Sequence, residues 1–343
     1  MKKNLRLFYI LIVLAIAAGV MWYIKGENGP ITNNPLANFA IEDTASITKI
    51  FIIDTKQESV LLERSENSRY WTLNGKLLAR KDATDLLLKT FKRIKVKEPV
   101  SKKMRENVIR VFAGTGKKVE IYQGGDNPSK IYYVGTPTQD HTGTFMLLET
   151  PEKGRSSEPF VTHMEGFSGF LSTRFFTDEE EWRYTGIFDY PKLDIKQVEV
   201  IHHLNPERSF RVELNEDSLS LYSSLLQRKV KQFDTLKLRD YMLLYKKVHL
   251  ETYQSHLSEA AEDSLVNSDP AFTLRVTENT GKTKKVDLYW KSASTQYIDE
   301  NGMVLPWDGS RMYGVVNKGD VVLVQRFVFD PLLQGIEQFV VRP

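Results

Sequence analysis

Two stretches decide the reading of the fold: Lys117-Lys118-Val119-Glu120-Ile121-Tyr122 and Lys284-Lys285-Val286-Asp287-Leu288-Tyr289, alike in character at every position and 167 residues apart. Each alternates polar and apolar residues, the period of a strand with one buried face. Other matches keep the same order. Phe145-Met146 falls on Met312-Tyr313 at the same offset, and FKRIKVKE from Phe91 falls on YKKVHLET from Tyr245 at 154. Ile47–Ile52 falls on Ile195–Val200 at 148, and Phe167–Leu171 on Phe329–Leu333 at 162. Ordered matches with drifting offsets are what a duplicated unit with loop insertions leaves behind. They predict that residues 45–175 and 195–343 are two copies of one unit, with KKVEIY and KKVDLY on equivalent strands.

Within each copy the local patterns predict the same series. A strand opens it, with Ile47, Ile50 and Ile52 in the first copy and Val198 and Val200 in the second. A hairpin partner follows near Val60–Leu62 and Phe210–Leu214. Trp71–Leu73 reads as a short strand before the turn Asn74-Gly75. Asp82 is the expected N-cap of a helix whose apolar stripe is Ala83, Leu87, Phe91 and Ile94; Leu238, Tyr241, Tyr245 and Val248 repeat the stripe. Val108–Phe112 and Lys118–Tyr122 read as a strand pair turning at Gly114-Thr115-Gly116, with Phe272–Val276 and Lys285–Trp290 as its copy. Tyr132–Gly135, an edge strand at Thr144–Glu149, and a short apolar helix (Phe167, Phe170, Leu171; then Leu332, Leu333, Ile336) complete the unit. One-faced strands need covering helices, so the expected class is α+β with mostly antiparallel sheet.

Upstream, Leu7 to Ile24 runs without a charge. Its 18 residues span roughly 27 Å as a helix, enough for a bilayer core. Lys2, Lys3 and Arg6 precede it, while Lys25 and Glu27 nearly cancel. The positive-inside rule then leaves residues 1–6 in the cytoplasm and sends the body across. Trp22 and Tyr23 stand where an interfacial belt is expected. Ala15-Ile16-Ala17 is the competing reading, a signal-peptidase pattern. The apolar run continues past it to Ile24, which favours an uncleaved anchor. The expected division is a transmembrane helix at 7–24, a Gly/Asn/Pro-rich linker at 25–40, a first unit at 41–175, an aromatic connector at 176–192 and a second unit at 193–343. Trp182, Phe188 and Tyr190 are expected to be buried where the units join.

Composition narrows the function classes. Of 343 residues 41% are hydrophobic and 11% aromatic, a globular body rather than a disordered one. Lys plus Arg number 47 against 44 acids, which is no nucleic-acid signature. Cysteine is absent, so disulfides, thiolate zinc and thiol nucleophiles are excluded.

The run of anchor, linker, Ile47–Ile52 strand, Trp71–Leu73, helix, Lys117–Tyr122, Tyr132–Gly135, Phe167–Leu171, Arg174–Arg183 (RFFTDEEEWR) and Asp194–Val200 (DIKQVEV) resembles the membrane-anchored bacterial family known as domain of unknown function 4340. The likeness covers nearly all of the chain after Phe39. It implies a bacterial inner-membrane protein, single-pass, with a periplasmic body. It also implies neighbours among ABC-type transporter components. It implies no activity.

Phosphate loops, nucleophile elbows and metalloprotease helices have no counterpart in the sequence. Asp140-His141 in a Gly/Thr-rich loop has acid–base composition but reads as a solvated loop pair. His202 and His203 are neighbours on a strand and must face opposite ways. His163 is expected at a helix start. Asp178–Glu181 reads as the acidic first turn of a helix rather than a cation site, because consecutive carboxylates diverge. The cations from Lys89 to Arg105 read as a solvated face, with contact to an anionic bilayer as the sharper alternative. No catalytic, cofactor-binding or metal residue is assigned. The expected function is a membrane-tethered periplasmic binding or structural module, not an enzyme, with a membrane or envelope protein as partner. The alternative is a periplasmic hydrolase or glycan-processing enzyme with its site in a cleft between the units.

Overall fold

The structure is a computed structural model that describes residues 35–65, 68–215, 218–298, 302–317 and 319–341. The expected anchor at 7–24 and most of the linker lie outside these residues. Among the described residues no helix is long and apolar enough to cross a membrane. The body is sheet-rich α+β with three antiparallel sheets. It divides into two compact units between Tyr184 and Thr185.

The first unit runs β1 (Lys49–Asp54), β2 (Ser59–Arg64), β3 (Trp71–Leu73), β4 (Leu77–Leu78), α1 (Lys81–Arg93), β5 (Ile94–Pro99), α2 (Lys102–Thr115), β6 (Lys117–Tyr122), β7 (Lys130–Pro137), β8 (Thr144–Thr150), β9 (Gly154–Arg155), β10 (Phe160–Met164) and a single helical turn α3 (Glu179–Trp182). Its strands lie in the order β4-β3-β2-β1-β6-β7-β8-β10-β5, with β9 added to β8. One face carries the main core. Ile50, Ile52, Val119, Ile121, Tyr132 and Phe160 meet Leu87 and Phe91 of α1 there. The other face holds a smaller cluster of Val100, Val108 and Val161, packed by Phe112 and Phe145, beneath α2. Asn74 (φ 50°) and Gly75 (φ 72°) turn β3 into β4, the left-handed conformations that an Asn-Gly hairpin supplies.

The second unit runs β11 (Gly186–Phe188), β12 (Ile195–His202), β13 (Phe210–Asn215), β14 (Ser218–Ser223), β15 (Arg228–Lys229), α4 (Thr235–Leu243), β16 (Val248–His249), β17 (Thr252–Tyr253), α5 (Glu259–Val266), β18 (Phe272–Glu278), β19 (Thr283–Ile298), β20 (Val304–Val316), β21 (Val321–Gln325) and α6 (Arg326–Phe329). Its main sheet is β15-β14-β13-β12-β18-β19-β20-β21-β17, and β11 pairs with β16 apart from it. Asp234 caps α4 by accepting from the N–H groups of Leu236 and Lys237. The expected stripe of Leu238, Tyr241, Tyr245 and Val248 is buried, although its last two members lie beyond the α-helix.

Each large sheet has a run of four strands, then four more, then an edge strand drawn from the middle of its sequence. In that order KKVEIY is β6, bonded to β1, whereas KKVDLY lies in β19, one strand further from β12. The two motifs therefore do not occupy equivalent strands. The strand placed like β6 is β18, which starts 155 residues later. The error has a local cause. Val108–Phe112 is not a strand but part of α2. Its β-branched residues look strand-like, yet Val108 and Phe112 recur at helical spacing and pack on the sheet. Counting a strand that does not exist shifted the alignment by one.

Further expectations fail for similar reasons. The N-cap of α1 is Arg80, with no side-chain cap bond; Asp82 sits in the first turn and pairs with Arg80 at 2.6 Å. β8 is internal, between β7 and β10, and the sheet edges are β4 and β5. No α-helix forms at Phe167–Leu171; Leu171 is buried and precedes a short 3-10 turn at Ser172–Arg174, while Phe167 is exposed. Leu332 and Leu333 likewise lie in a 3-10 turn. Trp182, Phe188 and Tyr190 of the connector are buried as expected, Trp182 in the first unit's core and Phe188 and Tyr190 in the second's.

α2 can lie flat on β7 because position 135 has no side chain. A Cβ on Gly135 would stand 2.8 Å from Cε1 of Phe112 and 3.2 Å from the Phe145 carbonyl oxygen. Gly135→Ala is expected to destabilise the first unit by roughly 1–3 kcal/mol, the usual cost of overpacking. Denaturant unfolding followed by circular dichroism reads this directly.

Candidate functional site

A cleft of about 560 Å³ lies between α2, the end of β5 and the β7–β8 turn. That size suits a small molecule or a short peptide segment. Its apolar side is made by Val100, Val108, Val111, Phe145 and Val161. Ser101, Asn107, Thr136, Thr138 and Gln139 supply hydroxyl and amide groups. Ser101 is the N-cap of α2, yet its hydroxyl makes no capping bond. It is therefore available to a ligand.

The β7–β8 turn is locked by Asp140. Thr138 Oγ1 donates to Asp140 Oδ1 at 2.5 Å, Thr142 Oγ1 donates to Oδ2 at 2.6 Å, and Thr142 N donates to Oδ1 at 3.2 Å. Hydrogen bonds from Thr138, then Thr142, hold this carboxyl well below the usual range, with nearby Lys97 adding to the effect. Lys97 Nζ in turn donates to Thr142 Oγ1 at 3.0 Å. His141 has φ 56° and sits against Phe170, ring centroids 5.7 Å apart, and it does not line the cleft. The structure thus brings Asp140 to the cleft but not its neighbour. His141→Ala should leave stability unchanged within about ±0.5 kcal/mol, as for ordinary surface positions. The same unfolding measurement, with complementation of a deletion strain, checks it.

The other sequence candidates separate. Asp178 caps α3, accepting from Glu180 N at 2.8 Å, and Glu179 accepts from Asn74 Nδ2 at 2.5 Å. Among the described residues no group of three His, Asp or Glu side chains converges as a metal site. His163 lies in β10, opposite Lys95, and not at a helix start. His202 is buried, hydrogen-bonded through Nε2 to the Gln334 carbonyl at 3.2 Å, and burial lowers its pKa. His203 faces outward. The Lys89–Arg105 cations wrap the edge strand β5: Lys95 pairs with Glu165 at 2.7 Å and Arg105 with Glu158 at 2.5 Å. Exposed lysines on an edge also discourage pairing with foreign strands.

The sequence reading missed a polar pocket of about 390 Å³ in the second unit. There His203 Nε2 lies 3.0 Å from Thr273 Oγ1, which donates to Asp287 Oδ1 at 2.6 Å. Asp287 also pairs with Lys285 at 2.6 Å. Because Thr273 gives its proton to Asp287, His203 Nε2 is the donor to Thr273. The only sequence signal was strand alternation; the register Thr273↔Asp287 that joins these groups is tertiary.

No protein-family model matches the chain, and neither a curated protein nor a solved structure matches it.

Proposed function

We propose that the chain is a membrane-tethered periplasmic binding or structural module of a transport or cell-envelope complex. In this reading residues 7–24 form a single-pass inner-membrane helix, residues 1–6 stay in the cytoplasm, and two repeats of one α+β unit follow the linker. Support for the repeat comes from the shared strand order of the two large sheets. Support for the anchor comes from the uncharged run and the cations before it. The observation that carries binding is the cleft beside α2. Its walls are an apolar floor with hydroxyl and amide groups, and its carboxylate Asp140 is already committed to two threonines. Such a surface recognises a partner; ABC-type transporter components and other envelope proteins are the proposed partners, and nucleic acid is not.

Two measurements test this reading. A reporter fused after Pro343 should be active only in a periplasm-dependent form, and cytoplasmic activity would overturn the placement. A photo-crosslinker at Asn107, on the cleft wall, should capture one membrane or envelope protein in living cells. Val111→Lys should abolish that capture. Crosslinking indifferent to Val111→Lys would remove the cleft from the interface.

A further inference from the structure

The α4 helix carries apolar residues on two sides. Its inner side, Leu238, Tyr241 and Met242, is buried in the second unit's core. Its outer side is not the polar surface that a solvent-facing helix presents. Leu236 is 74% accessible and Leu243 is 40% accessible. Two turns separate them, so they stand in line on one face, roughly opposite the buried three. Leu244, which opens the 3-10 turn after α4, is also exposed.

Cations surround this face. Lys237 and Arg239 flank it on α4, and Lys246 and Lys247 follow it. Arg228 and Lys229 form β15, and Lys231 stands in the loop that leads into α4. β15 pairs with β14, which α4 touches, so the two groups are neighbours. All seven cations are exposed, and among the described residues none is in an ion pair. By contrast Arg211, Arg275, Lys285, Lys291 and Arg311 of the same unit each hold an acid. Between Arg228 and Lys247 the acids are Asp234 and Asp240. Asp234 is committed to the N–H groups of Leu236 and Lys237, which leaves Asp240 as the one carboxylate on the outer side of α4.

We propose, on the reading that residues 7–24 cross a membrane and so keep the body beside it, that this face of the second unit rests on an anionic bilayer. Leu236, Leu243 and Leu244 reach into the headgroup region, and the cations lie among the lipid phosphates. Leucines ringed by cations are the composition of a segment that lies in a membrane interface. The apolar side chains leave water at a depth where the cations still meet anionic headgroups. Cations without a partner inside the protein find their counter-charge in the lipid. A protein partner is a poorer fit, because protein interfaces deplete lysine. A merely solvated face would carry the cations but not the leucines.

The test uses the full chain reconstituted into vesicles of phosphatidylethanolamine and phosphatidylglycerol. The chain has no cysteine, so Leu243→Cys carries a single nitrobenzoxadiazole label. Lipids spin-labelled near the headgroup should quench this label about twofold or more. A label at Asp263→Cys should stay unquenched, because α5 packs on the opposite face of the sheet from α4. Lys237→Glu/Arg239→Glu, with an unchanged circular dichroism spectrum, should abolish the quenching, and so should vesicles of phosphatidylcholine alone. Flotation of the vesicles after an alkaline wash reads the anchor separately. A chain that floats with its Leu243→Cys label unquenched would overturn the lipid contact and leave the anchor standing. Quenching that survives both glutamates, or that is equal in phosphatidylcholine, would overturn it as well. A chain that does not float would overturn the anchored placement, and the lipid contact with it.

Discussion

Trp182→Ala is expected to cost the first unit about 3–5 kcal/mol, the range for truncating a fully buried large aromatic. The ring is 0% exposed and stacks on Phe176 with centroids 4.2 Å apart. Its Nε1 donates to the Phe176 carbonyl at 2.9 Å. The backbone on either side is equally engaged. Arg80 N donates to the Trp182 carbonyl at 2.7 Å, and Tyr184 N to the Leu78 carbonyl at 2.7 Å. Truncation would leave a cavity beside Phe176 in the first unit's core and loosen the segment that runs beside β4 and the start of α1. Phe188 and Tyr190, further along the same segment, pack in the other core. Far-UV circular dichroism in denaturant on the full chain reads it without depending on the lost fluorophore. A loss below about 1 kcal/mol would show that the pocket collapses around the smaller side chain.

The second large effect is expected in the β19–β20 hairpin. Asp308 is 2% exposed. Its Oδ2 accepts from Lys291 Nζ at 3.0 Å, and its Oδ1 accepts from the N–H groups of Ser310 and Arg311 at 2.9 and 3.2 Å. Asp308→Ala removes the carboxylate and leaves a partly buried ammonium and two backbone donors without it. The expected cost is about 3 kcal/mol, the low end for breaking a buried ion pair from one side. Asp308→Asn keeps an oxygen for the two N–H groups but loses the charge and sets an NH2 donor where Lys291 had an acceptor, so it should cost about 1–2 kcal/mol, less than the alanine variant. Thermal unfolding of the three proteins at one pH and salt concentration checks the order. Equal losses for both variants would mean that the ion pair with Lys291, not the backbone contacts, holds this end of the β19–β20 hairpin.

The local elements were largely legible, and each for a physical reason that stays local. Alternation in Ile50 and Ile52, and in Phe210 and Val212, marks one buried face on each strand. Asn74-Gly75 marks a turn because both residues tolerate positive φ. Leu87 and Phe91 mark the covered side of α1. His202, the last residue of β12, is buried, and His203, just past the strand, is exposed.

The limit shows at Val108–Phe112. The segment contains residues that favour strands, and the spacing of Val108 and Phe112 is too short a signal to outweigh them. Its helix depends on contacts made elsewhere, with Val161 and Phe145 receiving Val108 and Phe112, and with Gly135 leaving room. One wrong element then displaced the pairing of KKVEIY with KKVDLY, because a repeat read from short motifs carries no information about which strand bonds to which.

The same division holds for the sites. Composition and motif spacing alone could show that Asp140-His141 stands in a loop, but not that two threonines hold Asp140 in a cleft wall while His141 lies against Phe170. The polar chain from His203 to Asp287 joins residues far apart in sequence, and only the register of β18 against β19 brings it into being. The sequence by itself determined which face of each strand is buried and where the chain turns, since these follow from side-chain period and backbone sterics. Strand order, the α2 helix and the cleft beneath it were decided by the tertiary structure, because they depend on non-local hydrogen bonds and packing that no short window of residues encodes.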